Sequence, residues 1–187
     1  MIIIQTRAVA IMSRTQSPPA PVDSSSVGPR AKALTASIKQ AGSKASEADR
    51  ALQAITSANF PHNQSLDDGI TGIVLAIQSS ISSITEPLPE FTVVEQNDIY
   101  NAFKGFLQDF RQLVKSMMDK HKLMAPNPVK GNALAGFLFS CKAFVNQFAI
   151  VIIRMLPSHA DDAQLQVESF DSSLIDAIDT FRSSFDS

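Results

Sequence analysis

"FVNQFAIVIIRML", residues 144–156, is the stretch on which the reading of the fold turns. Between Lys142 and Arg154 its only polar side chains are Asn146 and Gln147. A helix needs one apolar stripe to pack on a neighbour, and a helix apolar on nearly every side has to be surrounded. Extended in both directions, one face carries Leu134, Leu138, Cys141, Val145, Phe148, Ile152 and Met155. A second carries Phe137, Ser140, Phe144, Gln147 and Val151, and a third Phe139, Ala143, Asn146, Ile150 and Ile153. The pattern predicts a helix at the centre of a bundle, wrapped by the others. The uninterrupted apolar run Phe148 to Ile153 falls far short of the roughly 20 residues of a membrane-spanning helix, so no transmembrane segment is predicted.

The surrounding chain supplies four more helices. Leu34, Ile38, Ala41, Ala45, Ala48, Leu52 and Ile55 alternate steps of four and three, a narrow seam of small residues that admits a close neighbour. A second segment offers Leu66, Ile70, Ile73, Ile77, Ile81 and Ile84. A third offers Ile99, Phe103, Phe106, Phe110, Leu113 and Met117, and a fifth Phe170, Leu174, Ile178, Phe181 and Phe185. "TVVE" at 92–95 reads as a capping box with Thr92 at the N-cap and Glu95 three residues on. Asp67, Asp68 and Asp161 place carboxylates at the positive ends of their helices, and Pro128 suits a first helical position. The fold class expected is all-α: an up-down bundle of five helices, with a central apolar fourth helix. Residues 29–187 form the bundle. Residues 1–28, with the Pro/Ser run "TQSPPAPVDSSSVG", are expected to be a disordered tail and linker.

Composition narrows the function classes. Charged residues make up 18% and the net charge is -2, which argues against a nucleic-acid partner. The chain has no Trp and one Tyr but twelve Phe, so its interior has few polar handles. That suits an apolar core and equally an apolar cavity. The lone Cys141 allows no internal disulfide and reads as a small buried hydrophobe. His62, His121 and His159 have no second metal ligand at helical spacing, and no glycine-rich phosphate loop is present. The sequence therefore calls for no cofactor and no metal, and for a binding protein rather than an enzyme. The four serines of "AIQSSISSIT", 76–85, read either as a solvent face or as hydroxyls that line a groove or bind glycan. Asn63-Gln64-Ser65 is a glycosylation sequon.

The runs "ALTASIKQAGSKASEADRALQAI", "GITGIVLAIQSSISSIT", "FTVVEQNDIYNAFKGFLQDFRQLVKSMMDKHKLM", "ALAGFLFSCKAFVNQFAIVIIRMLP" and "LIDAIDTFRSSF" together resemble the fungal hydrophobic surface-binding protein A family, which includes antigenic cell-wall galactomannoproteins. The resemblance spans roughly residues 31–185. It implies a secreted or wall-associated protein that holds fatty acids in an apolar cavity of its helical bundle and adheres to hydrophobic surfaces. A clear signal peptide is not evident in the first residues.

Two functions follow as expectations. The first is non-catalytic binding of a long-chain fatty acid or other lipid in an apolar tunnel. Its wall is expected from Ile73, Ile77, Phe103, Phe106, Phe110, Phe144, Phe148, Leu174 and Ile178, which recur at helical spacing. No Lys or Arg falls on these seams, so Ser140 and Gln147 are the expected donors to a carboxylate head. The alternative is a solid-core interaction module that meets a protein or a hydrophobic surface through an exposed apolar face. Each seam has a partner within the chain, so a monomer is expected.

Overall fold

In the computed structural model, which describes residues 27–56, 64–82, 84, 88–124 and 128–183, the small-residue seam of the first helix is buried along its whole length. This helix, α1, spans Pro29–Gln53. It is followed by α2 (Gln64–Ser82), α3 (Val93–Met124), α4 (Pro128–Met155) and α5 (Ala160–Ser183), with a 3-10 turn at Pro157–His159 leading into α5. No strand occurs among the described residues. The all-α five-helix fold is as expected from the sequence. Residues 1–26 of the expected tail, the sequon at Asn63, and Phe185 lie outside the described residues. Val27 packs partly buried against the core.

Side-chain pairs fix the direction of each helix. At one end of the α1–α3 pair, Gly28 meets Glu95; at the other, Lys120 Nζ donates to the carbonyls of Gln53 and Ile55 at 3.2 and 2.9 Å. The two helices therefore run parallel, and Lys120 supplies a cation and donors where α1 leaves carbonyls without helical partners. Asn97 meets His159, and Arg111 meets Gln166 and Ser169, so α3 and α5 are parallel as well. Ser37 opposite Ser80 and Ala48 opposite Gly69 set α1 and α2 antiparallel. Phe103 on Phe148 and Phe110 on Phe137 do the same for α3 and α4.

The result is two layers. α1, α3 and α5 run one way, with α3 between the other two; α2 and α4 run the other way. α2 packs on α1, α4 packs on α5, and α2 and α4 touch each other to close the ring. The middle position belongs to α3. The expectation that α4 is wrapped by the other four helices is corrected. Its seam from Leu134 to Met155 is buried, but Phe139 is 59% and Ile150 61% exposed on the outer face. The physical reason is geometric: a two-helix layer gives α4 neighbours on one side, and the excess apolar residues stay in the surface. By length and composition alone Leu134–Met155, 22 residues, is long and apolar enough to cross a membrane, although Lys142 and Arg154 lie within it. It packs its seam into the core, and one such helix is consistent with the expectation of no transmembrane segment.

Close approach explains the strongest contacts. A Cβ on Gly69 would lie 2.9 Å from Ala48 Cβ and 3.0 Å from Ala48 Cα, so α1 and α2 touch there backbone to backbone. The centre is filled by rings. Phe103 and Phe106 both meet Phe148 edge-on, with centroids 5.9 and 6.4 Å apart, and Phe110 packs on Phe170 at 5.3 Å. Such tilted and edge-to-face pairs match the positive ring edge to the negative face.

Candidate functional site

Eight of the nine residues expected to line a tunnel converge on the interior. Ile73 and Ile77 of α2, Phe103, Phe106 and Phe110 of α3, Phe148 of α4, and Leu174 and Ile178 of α5 are all buried. Phe144 is half-buried at the edge of the core. These residues form one apolar cluster whose rings are in contact at its centre. The two expected head-group donors do not join them. Ser140 is exposed and its hydroxyl donates to the Gly136 carbonyl at 2.9 Å, one turn back in its own helix. Gln147 is exposed too. Both sit on the half of α4 that has no neighbouring helix, so neither reaches the interior.

The hydroxyl that does reach it is Ser80. Among the serines of α2, Ser80 is fully buried, donates to the Ala76 carbonyl at 2.8 Å, and lies 2.6 Å from the hydroxyl of Ser37 on α1. The solvent-face reading of the serine run holds for Ser79 and Ser82; Ser80 instead turns into the α1–α2 contact. The signal was legible only in part, since one residue of shift along a helix decides which of two adjacent serines turns inward.

Clefts open at the end of the bundle where α1 begins and α4 ends. One, of about 170 Å³, is bounded by Arg30, Ala33 and Leu34 of α1, by Ile84, Pro89 and Phe91 between α2 and α3, and by Met155 of α4. Its floor, Leu34 and Met155, is core. A second, of about 390 Å³, shares Pro89, Phe91 and Met155 and adds Glu90, Gln96 and Arg154. Ser37 lies one turn inward from Ala33, and Ser80 one turn inward from Ile84. The hydroxyl pair, Ser80 buried and Ser37 half-buried, thus lies one helical turn beyond residues that line the first cleft and does not line it itself.

Backbone and side-chain bonds hold this end together. Gln96 is buried; its amide nitrogen donates to the Phe91 carbonyl at 2.8 Å, and its oxygen accepts the Ser158 N–H at 3.0 Å. Glu95 completes the capping box with Thr92, as the sequence indicated, and also takes the Gly28 N–H. These donors, the Thr92 amide first and the Gly28 amide second, hold the Glu95 carboxyl below its ordinary range. Three segments, the start of α1, the residues leading into α3 and the turn before α5, are thus pinned at one point.

The other shifted groups are scattered. Burial pushes up the carboxyl of Asp109 at the α1–α3 contact and the phenol of Tyr100, which stacks on His159 at 4.5 Å. Burial also pushes the Cys141 thiol far up. Among the described residues no three His, Cys, Asp or Glu side chains gather as a metal-ligating group.

No family model matches the sequence, and no curated protein matches it. Among solved structures, the crystal structure of AfMP4p in complex with palmitic acid matches with a TM-score of 0.74 at 10% sequence identity. The match covers 81% of this chain and 99% of that chain. At that identity the likeness shows the fold: this chain has the helical bundle of AfMP4p.

Proposed function

We propose that this bundle is a non-catalytic binding protein for a long-chain fatty acid or similar single-chain lipid. The observation that carries the reading is the shared fold: 99% of a chain solved with palmitic acid superposes on this one. The interior is suited to an acyl chain because Phe, Ile and Leu from all five helices meet there. Its centre is filled by packed rings, so a chain that enters at the end cleft has to part the two layers, and α2 packs on α4 more sparsely than on α1. Burying about 14 methylenes at ~0.8 kcal/mol each gives roughly 11 kcal/mol of gross transfer energy. Association costs of several kcal/mol leave an affinity of about micromolar. Organic extraction of the purified protein followed by mass spectrometry tests the reading. A fatty acid recovered at a fixed ratio to protein supports it, and a lipid-free extract with no uptake on re-exposure refutes it.

A second reading rests on the outer face of α4. Phe139 and Ile150 are exposed there, eleven residues apart and so on one side of the helix; Leu75 of α2 and Ile175 of α5 are exposed as well. This apolar surface suits adhesion to a hydrophobic surface. Phe139→Ser combined with Ile150→Ser is expected to reduce retention on an alkyl-coated resin without lowering lipid uptake. Equal retention by the double variant would remove the face from the account. A secreted or wall-associated location is the matching proposal, tested by fractionating the source cells.

A further inference from the structure

We propose that the cleft beside Arg30 is the recognition site for the anionic head of a single-chain amphiphile, with a carboxylate as its first ligand. This inference rests on the lipid-binding reading and adds to it the end at which the head sits and the chemical class it selects. The cleft has one charged residue over an apolar floor, the arrangement that an anion with a hydrocarbon tail complements. Arg30 is exposed at its rim and, among the described residues, has no ion-paired or hydrogen-bonded partner. A guanidinium presents two parallel N–H donors that match the two oxygens of a carboxylate.

No carboxylate lines this cleft; Glu95, which stands close by in the fold, is turned to the Thr92 and Gly28 donors. By fixing Gly28 it also fixes the backbone from which Arg30 projects. Glu90 lines the neighbouring cleft, where Arg154 stands with it, and not this one. Below the rim, the core side chains Leu34 and Met155 form the floor of the cleft. A head held at Arg30 therefore lays the start of its tail on this apolar floor, at the edge of the core.

The test compares laurate with 1-dodecanol, equal chains with different heads, by calorimetric titration of the delipidated full chain. The wild type is expected to prefer laurate. Arg30→Gln is expected to weaken laurate about tenfold or more, from loss of a charge-assisted pair, and to leave dodecanol unchanged. Arg30→Lys is expected to recover part of the preference. Arg30 is exposed, so an unchanged melting temperature confirms that the variants fold. If Arg30→Gln keeps the full preference for laurate, the head-group assignment is wrong while lipid binding stands. If the wild type takes up neither compound, the lipid reading falls and this inference with it.

Discussion

One carboxylate oxygen of Glu95 accepts the backbone N–H of Gly28 at 2.8 Å, across 67 positions of sequence, while the other accepts the N–H and hydroxyl of Thr92 at 2.8 and 2.9 Å. A residue that the sequence marks as a local helix cap thus also anchors the start of α1. Arg30 and Phe91 line the end cleft; Gly28 stands two residues before the one and Thr92 one residue after the other.

Glu95→Ala is expected to cost about 1–2 kcal/mol, the worth of a lost cap plus a freed amide. The pH dependence has a definite sign. The folded-state carboxyl lies below its ordinary value, so its contribution is complete above the pH at which an unfolded-chain glutamate ionises, about 4.3. It is lost as pH falls through the lowered folded value. Urea unfolding of wild type and Glu95→Gln at neutral and acid pH checks this: the gap between them should shrink on acidification. A constant gap would contradict the role of the charge.

Two glycines should respond oppositely to alanine. Gly69→Ala forces a methyl to within about 3 Å of Ala48, including its backbone, and is expected to destabilise by about 1–3 kcal/mol. Gly105 has nothing within 4 Å of its missing Cβ, and Gly105→Ala is expected to stabilise by about 0.5–1 kcal/mol. Melting temperatures of the two variants moving the same way would contradict the close α1–α2 contact.

Cys141 should be silent toward thiol reagents in the native protein. It is buried, and burial raises its thiol far above the range in which thiolate forms at neutral pH. Labelling with an aromatic disulfide should proceed only at the rate of unfolding. Fast native labelling would show that the seam of α4 opens.

Gln147→Leu should leave fatty-acid affinity unchanged, because Gln147 is exposed on α4. Phe148→Ala, one residue on, is expected to cost about 3–5 kcal/mol, since its ring is fully buried against Phe103 and Phe106. Denaturant unfolding and fluorescent fatty-acid titration of both variants check the pair. A loss of binding in Gln147→Leu would return that side chain to the site.

The seams were legible because helical period alone decides them. Every seam position named from Leu34 to Ile55, from Ile99 to Met117 and from Leu134 to Met155 is buried. The position of α4 was not legible, because an all-round apolar helix looks the same whether it is enclosed or leaves Phe139 and Ile150 in the surface. Burial of the expected head-group donors was not legible for a related reason: Ser140 and Gln147 share a face with Phe144, but that face borders solvent. The proposed anion contact, Arg30, lies at a helix start, off every seam, and lines a cleft only through the chain order of α1, α2 and α4. Ser80 turns inward and Ser79 outward by a rotation that composition does not encode.

The central claim is that an acyl chain occupies the bundle, and calorimetric titration of the delipidated protein with palmitate tests it most directly. The expected result is saturable binding of about one ligand per chain, with a Kd of about micromolar and a negative heat-capacity change from buried apolar surface. Absence of saturable binding, or binding without a heat-capacity change, would contradict it.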